Sequence, residues 1–389
     1  MTIKNSGSEL AFSEIEAEFG QPDNGRSLGR YRSSDSEFKN KNIGNLPELP
    51  LDTGIPTSGE IRFSQFYGKK LNMVVDYYDD DGTAGGEANN VLNRQDDGAN
   101  TLAATWRYNN LSNRVKVVGG YRERPTGSVS GYNLSSSGWQ GGKKIFIHVN
   151  KKIGSAKAGS DSDRNKVALR TGNWPSGTTL QIDIGSSGRI QGAGGNGRQG
   201  TTNNGTPAQA FTGTSGLGIE YPAQINNSGT IRCGYGGGGG GAGSWSDPNK
   251  NPRDFGRSGG GGGGGAGIPA GDGGPQNTGG YGSAGNGGPS DQNGKGKAGS
   301  DASFDAGGNG GAGGQHGEGG GQAGSGGNGG DRNDSAQSGD AGSPNRGGGG
   351  APGSNGHGII FSSNSVQSNS SGDKTLSGSD GGVIVGGVS

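Results

Sequence analysis

Glycine dominates the second half of this chain and restricts what that half can fold into. Between residues 234 and 353 roughly two residues in five are glycine, and the chain of 389 residues contains 94 glycines and 15 prolines. Glycine loses more backbone freedom on folding than any other residue, and ordering one residue costs about 1–2 kcal/mol. Such a segment stays disordered unless a specific packing scheme offsets that cost.

The order of the glycines offers such a scheme. Residues 307–315 are three triplets, each with two glycines and one other residue, and the pattern resumes at 326–331. A polyproline-II helix has three residues per turn and no internal hydrogen bonds. Each triplet therefore places its side chain on one edge and leaves two edges of bare backbone, which neighbouring helices can approach and hydrogen-bond. The pattern predicts a C-terminal bundle of polyglycine-II helices with connecting loops and closing strands over residues 234–389.

Non-glycine residues are concentrated in connectors between the glycine runs. The connectors are 245–255, 268–281, 289–304 and 331–346. A rigid scaffold that presents loops at its ends is typical of a binding protein, so we expect recognition to use side chains of the connectors and of the outer glycine edges. The candidate binding residues are Trp245, Asp247, Arg253, Phe255, Tyr281, Phe304 and His316.

Composition and charge exclude several functional classes. The 34 basic and 34 acidic residues cancel, which argues against a nucleic-acid binder because such proteins need a positive field. No apolar run approaches the roughly 20 residues that span a bilayer, so we expect no membrane insertion. The N-terminus shows no apolar secretion-signal region, which indicates synthesis in a cytoplasm.

Residues 1–68 hold two variants of one short motif, LAFSEIEAEFG at 10–20 and IRFSQFYG at 61–68. Ser13 and Glu16 match a capping box at a helix start. Each copy offers only one or two turns, too short to be stable alone in water. We expect these short helices to dock on the β-rich part of the chain or on a neighbouring subunit. The candidate docking residues are Phe12, Ile15, Phe19, Phe63, Phe66 and Tyr67.

Residues 69–185 have the character of strands. The segments 71–78 and 114–118 are rich in β-branched residues, and 144–149 and 179–184 alternate apolar and polar side chains. Such alternation marks half-buried strands. The simplest fold for this zone is an antiparallel β-sandwich, which makes the whole chain mainly β and irregular with short N-terminal helices.

A short echo links the strand zone to the glycine segment. Residues 187–195 and 228–236 both read as a tight turn, a strand of two or three residues, and then glycines. Two copies indicate stacked turns, whereas a true solenoid would need three or more units. We assign 186–233 to a strand–turn transition.

Nothing in the sequence marks a catalytic or metal site. The run of aspartates before Gly82 fails the EF-hand spacing because Tyr77 stands at the first loop position. His148, His316 and His357 are far apart and lack zinc-binding spacing. We therefore expect no enzyme activity, no cofactor and no metal.

Two sets of residues resemble proteins of tailed bacteriophages. The pair LAFSEIEAEFG and IRFSQFYGK resembles a short module of phage virion and fibre proteins. The stretch from TLQIDIGSSGRIQGAGG through NNSGTIRCGYGGGGGGAG resembles phage tail-fibre and tail-tip receptor-binding proteins. The glycine segment as a whole is similar to the tail-fibre-tip adhesins of T-even-like phages, in which a polyglycine-II sandwich presents distal loops to host outer-membrane receptors. The zone 69–185 and the apolar stretches 359–361 and 383–385 depart from that family.

The resemblance implies a receptor-binding protein of the virion tail, made in the host cytoplasm. Residues 1–68 would attach to other virion tail proteins, and the four connectors would meet a host cell-surface receptor, either an outer-membrane protein or a glycan. The chain would form a homo-oligomer or bind an oligomeric fibre. Two alternatives stay open: a structural fibre connector or head decoration protein that binds no receptor, and a glycan depolymerase.

Overall fold

A computed structural model provides the structure of the chain. It describes residues 3–19, 21–22, 25–32, 35, 55–69, 73–77, 115–118, 144–150, 152–159, 166–171, 179–202, 207–219, 222–245, 258–275, 297–303, 305–313, 323–331, 334–341, 345–346, 348–360 and 383–385.

The N-terminal residues form short helices that pack through aromatic rings. Helix α1 spans Phe12–Phe19, and two 3-10 helices span Leu28–Tyr31 and Phe63–Phe66. Tyr31 is completely buried, with its ring centroid 6.0 Å from that of Phe19 and 5.9 Å from that of Phe66. The rings are steeply inclined to one another, an arrangement that aromatic pairs favour. Helices too short to be stable alone thus stabilise one another.

The start of α1 is capped differently from the prediction. The helix begins at Phe12, and the Glu14 carboxylate accepts a hydrogen bond from the Ala11 N–H at 2.8 Å. That bond lowers the pKa of Glu14. Glu16 pairs with Arg26 at 2.8 Å. The predicted Ser13–Glu16 capping box is therefore wrong, because the helix starts two residues earlier and Glu14 accepts from the N–H of the residue that precedes the helix, Ala11.

Strands and irregular segments make up most of the rest, as predicted. The strands are β1 (Met73–Tyr77), β2 (Val115–Val118), β3 (Lys144–Val149), β4 (Lys152–Ile153), β5 (Val167–Arg170), β6 (Thr179–Ile184), β7 (Arg189–Gln191), β8 (Ser215–Gly218), β9 (Ala223–Asn227), β10 (Thr230–Arg232), β11 (Ser244–Trp245), β12 (Asn345–Arg346), β13 (Ile359–Ile360) and β14 (Val383–Val385).

Three sheets are built from strands that recur in the same order. The first sheet contains β3, β6 and β9, the second β4, β7 and β10, and the third β5, β8 and β13, and neighbours within each set are parallel. The chain therefore winds through three turns of a coil, and each turn visits the three sheets in order. Strands β1 and β2 extend the first sheet, and β14 extends the second.

The predicted antiparallel β-sandwich is wrong. Among the described strands the antiparallel pairs are β1–β2 and the short β11–β12. Alternation with a period of two shows which side chains face the core, and it is the same in parallel and antiparallel sheets. The strands are parallel because each return to a sheet passes through the other two. The two copies of the echo contain β7 and β10. Strand β4 lies next to β7 in the same sheet and provides the third unit that a solenoid requires.

Branched aliphatic side chains fill the coil in three ladders, one along each sheet. Each ladder joins residues paired in register on neighbouring strands, and every member is at most 5% exposed. The ladders are Ile147–Ile182–Ile225, Ile153–Ile190–Ile231 and Leu169–Leu217–Ile359. The buried side chains of α1 belong to the same hydrophobic cluster, so the N-terminal helices share the core of the coil.

The glycine-rich region grows out of one corner of this coil. In each turn a segment leaves the strand of the second sheet and leads to the strand of the third sheet. These segments are 154–166, 192–214 and 233–358. The glycine-rich region is thus a set of insertions at equivalent positions, and it starts and ends on strands of the coil.

Segment 258–267 shows how the glycine segments hold one another. Consecutive N–H groups of this segment donate to three different neighbouring segments in turn, 195–201, 324–330 and 297–303, and the order repeats every three residues. Its carbonyl groups accept from 235–241, 271–274 and 308–311 in a similar cycle. Because the N–H groups from Gly259 to Gly267 all pair, a segment with few side chains still satisfies its backbone.

The close approach of neighbouring backbones explains why residues 259–265 are all glycine. A Cβ atom on any residue from Gly259 to Gly265 would lie 1.9–2.2 Å from a backbone oxygen of a neighbouring segment. Contacts this short do not occur between real side chains and carbonyl groups. The neighbours can therefore reach hydrogen-bonding distance only if these positions lack a side chain.

Candidate functional site

The ends of the described glycine segments lie together at two ends of the region. One end, the coil end, adjoins the strands, and we call the opposite one the far end. At the far end Thr202 pairs with Ser258, and the Ala242 N–H donates to Asp340 O at 3.0 Å. The Gly324 N–H donates to Ala242 O at 2.9 Å. The described residues on both sides of several gaps therefore meet here. We use the name far-end turns for the stretches of sequence that join them, 203–206, 246–257, 276–296, 314–322 and 342–344, which lie outside the described residues.

The far end includes one candidate binding residue whose backbone the structure describes. Trp245 ends β11 and pairs with Asn345 of β12. The other candidates lie outside the described residues, namely Asp247, Arg253, Phe255, Tyr281, Phe304 and His316. By sequence position all of these except Phe304 fall in turns whose flanking residues are at the far end.

The residues that flank Phe304 lie at the coil end. The Gly267 N–H donates to Ser303 O, and Asp305 Oδ1 accepts hydrogen bonds at 2.7 Å from Arg189 of β7 and at 2.7 Å from Arg232 of β10. The described neighbours of the candidate residues are therefore divided between the two ends, which sequence spacing did not reveal.

The two arginines around Asp305 form a charge cluster at the coil end. The Arg189 hydrogen bond, together with the charge of both guanidinium groups, lowers the pKa of the Asp305 carboxyl. The Arg232 side chain is 9% exposed, and a buried guanidinium is costly unless it is paired. This cluster attaches the turn at Asp305 to two strands of the coil, which is a structural role. No sequence signal links residues so far apart in the chain.

Cys233 and Tyr235 lie beside this cluster and are buried. Burial raises the pKa of the Cys233 thiol to about 11 and that of the Tyr235 hydroxyl to about 12. The thiolate is the reactive form of cysteine, so burial and the raised pKa both disfavour reaction at Cys233.

The candidate docking residues of the N-terminal segment divide into two groups. Ile15, Phe19 and Phe66 are completely buried and form the local core. Phe63 is 40% exposed, and its ring centroid lies 6.1 Å from that of the half-buried Phe12. Tyr67 is half-buried, and its hydroxyl donates to Ser8 O. Phe12 and Phe63 thus form an apolar pair at the surface.

The described residues show neither a metal cluster nor a membrane-spanning helix. Within the ranges that the structure describes, no three His, Cys, Asp or Glu side chains come together as a metal site would require. None of the helices described is long and apolar enough to cross a membrane.

Comparison with known proteins identifies the class. Residues 123–388, more than half of the chain, match the family described as Phage tail fibre adhesin Gp38. The chain belongs to this family. It is therefore a receptor-binding adhesin of a phage tail fibre, located in the virion tail.

The other comparisons add less. Among the curated proteins there is no match. One solved structure that matches is the crystal structure of the gp37-gp38 adhesin tip complex of the bacteriophage S16 long tail fiber, with 20% identity and a TM-score of 0.35. The match covers 83% of this chain and 90% of that chain.

Proposed function

We propose that the turns at the far end of the glycine-rich region contact the host receptor, an outer-membrane protein or a glycan. The observation that carries this proposal is the convergence of the described segment ends, such as Thr202 beside Ser258 and Ala242 beside Asp340. A surface formed by many turns on a rigid scaffold suits recognition. The contact residues we propose are Trp245, Asp247, Arg253, Phe255, Tyr281 and His316. We leave out Phe304 because its neighbours lie at the coil end.

The scaffold in this proposal is a bundle of polyglycine-II helices. The three-residue cycle of hydrogen bonds around 258–267 supports it, because a polyproline-II helix has three residues per turn and must find all its hydrogen bonds outside itself. In such a bundle each segment is held by several neighbours. The far-end turns would then be presented with little loss of entropy on binding.

The N-terminal residues 1–68 are our proposed attachment module for other tail proteins. They precede the matched family region, and they carry the exposed Phe63 beside Phe12. Residues 69–185 and 186–233 supply the coil on which the bundle stands, and 234–389 supply most of the bundle. The chain, made in the host cytoplasm, would assemble on an oligomeric fibre or with copies of itself. It would act by binding, without catalysis.

One experiment with two variants tests the receptor and attachment proposals together. The first variant replaces residues 246–257 by a glycine–serine stretch of equal length, and the second is Phe63→Ser. We expect virions with the first variant to contain the protein but to adsorb to host cells at least about tenfold more slowly, because hot-spot contacts are lost. We expect Phe63→Ser to reduce the amount of this protein in purified virions.

The matched control for Phe63→Ser is Ser64→Ala, an exposed neighbour, which should be incorporated normally. Unchanged adsorption with the 246–257 replacement would refute its contribution to receptor contact. Normal incorporation of Phe63→Ser would show that Phe63 is not part of the attachment surface.

A further inference from the structure

A groove runs along the flank of the glycine-rich region beside its far end. It has a volume of about 730 Å³ and lies between residues 196–202, 207–211 and 272–275. This volume is within the range of about 300–1,000 Å³ that small-molecule sites occupy. The groove is lined by described residues, and none of them is among the contact residues that we propose for the receptor.

Backbone hydrogen bonds hold the walls of the groove in place. The Gly197 N–H donates to Asp272 O at 2.8 Å, and the Phe211 N–H donates to Asn196 O at 3.1 Å. The Arg198 N–H donates to Gly238 O of the segment behind it at 3.1 Å. A ligand would therefore meet a largely preformed surface, which lowers the entropic cost of binding.

The lining combines one aromatic ring with planar polar side chains. The guanidinium carbon of Arg198 lies 5.2 Å from the centroid of the half-buried Phe211 ring, a cation–π contact that orients the guanidinium. Asn196 Oδ1 accepts from the Asp272 N–H at 2.9 Å, so its amide nitrogen is directed to donate elsewhere. Thr202 adds a hydroxyl.

The charge balance of the groove favours an anion. Asp272 is paired with Lys157, with Nζ and Oδ2 2.7 Å apart. Among the residues that the structure describes, no carboxylate forms an ion pair with Arg198. Within the described part of the groove the Arg198 guanidinium thus has no carboxylate partner, and a guanidinium hydrogen-bonds strongly to carboxylate or phosphate oxygens.

We propose that this groove binds a saccharide unit that carries an anionic group. A sugar ring presents an apolar C–H face that packs on an aromatic ring such as Phe211. Its hydroxyls pair with amide and hydroxyl groups such as those of Asn196 and Thr202, and its anionic group pairs with Arg198. The site is a second one on the same protein and does not depend on how the far-end turns meet a receptor.

Calorimetric titration of the purified full chain tests the proposal. The probes are digalacturonic acid, glucose 6-phosphate, maltose and a triglutamate peptide. We expect digalacturonic acid or glucose 6-phosphate to bind at least about tenfold more tightly than maltose, since a hydrogen bond to a charged group is worth more than a neutral one. The better of the two shows whether the anion is a carboxylate or a phosphate.

Variants then locate the binding. Arg198→Gln should remove the preference for the anionic sugars. Ala208→Trp, which fills the groove from an exposed position without deleting a contact, should abolish binding. The control Arg62→Gln, an exposed arginine of the N-terminal segment, should bind as the parent does. Thermal melting confirms that each variant is folded.

Three results would overturn the proposal. The first is no measurable binding of any sugar probe to the parent chain. The second is full binding by Ala208→Trp. The third is binding of triglutamate as tight as that of the anionic sugars, which would assign the groove to an acidic peptide instead. None of these results changes the outcome expected for host adsorption, so the two proposals fail separately.

Discussion

Asp305 shows how one carboxylate fastens a turn of the glycine-rich region to the coil. It accepts hydrogen bonds from Arg189 and Arg232, which stand on neighbouring strands of the second sheet. Arg232 is the more buried of the two arginines, and its Nε is buried with no partner within the described structure. The Asp305 side chain is about half exposed, so solvent screens part of the attraction.

Removal of this charge should lower stability. We expect Asp305→Asn to reduce the free energy of unfolding by about 1–2 kcal/mol, because Arg232 then loses its charged partner in a buried setting. Urea unfolding at neutral pH measures this difference. Glu60→Gln is the control, since Glu60 and its partner Arg62 are both largely exposed, and it should change stability little.

The lowered pKa of Asp305 also predicts a pH dependence. A group whose pKa is lower in the folded state stabilises the protein above its unfolded pKa of about 3.9, and this contribution is lost as the pH falls through the folded value. The parent chain should therefore lose its stability advantage over Asp305→Asn as the pH falls below about 4. An equal difference at neutral pH and in acid would contradict this assignment.

Among the structural elements, the glycine segments differ from helices and strands in how they are stabilised. An α-helix forms its own hydrogen bonds, whereas segment 258–267 forms its bonds with segments on every side. Each segment is ordered only while its neighbours are in place. The energetic consequence of a substitution should therefore depend on how closely the neighbouring backbone approaches.

A pair of alanine substitutions tests this dependence. A Cβ on Gly262 would lie 1.9 Å from the Gly238 carbonyl oxygen, whereas one on Gly350 would first meet the Pro207 Cβ at 2.9 Å. We expect Gly262→Ala to lower the free energy of unfolding by at least about 3 kcal/mol, since backbone cannot move away cheaply. Gly350→Ala should cost less than about half as much. Equal effects in urea unfolding would argue against the close packing.

In the whole molecule, the coil and the glycine-rich region are joined at many points. The segments 192–214 and 233–358 both begin after a strand of the second sheet and end before a strand of the third. The two parts should therefore unfold together, because a glycine segment cannot stay paired once the strands at its ends separate.

Hydrogen exchange on a core variant tests this cooperativity. Ile190 lies at the centre of its ladder and is completely buried, so Ile190→Ala should lower the free energy of unfolding by about 2–5 kcal/mol. The protection of amides in 258–267 should fall by a similar amount as that of amides in the coil. The control is Gln224→Ala on an exposed position of β9. Unchanged protection of 258–267 in Ile190→Ala would show that the two parts unfold independently.

Parts of this structure could be predicted from particular residues. The alternation at 144–149 and 179–184 located β3 and β6, and Phe19 and Phe66 proved to be buried as apolar residues of short helices should be. The direction of the strands could not be predicted, because alternation is the same in parallel and antiparallel sheets. The third unit of the echo was missed because β4 has only two residues and follows no clear turn signal.

The functional surfaces were harder to predict from the sequence than the strands were. Glycine density pointed to the connectors, but their division between the far end and the coil end depends on which segments pair, as the residues around Phe304 show. The groove brings together Asn196, Phe211 and Asp272, which no local pattern connects. The proposed role of the candidate residues in the far-end turns stays a prediction.

The sequence by itself determined which residues could be buried and which backbone had to be bare, because periods of two and three are local properties that each segment carries alone. Only the tertiary structure decided which segments became neighbours. Ile190 pairs with Ile153 and Ile231, and Gly262 meets Arg198 and Gly238, through contacts between residues distant in the chain. Such choices depend on the combined packing of all segments. The same choices bring the described segment ends together at the far end and form the groove beside them.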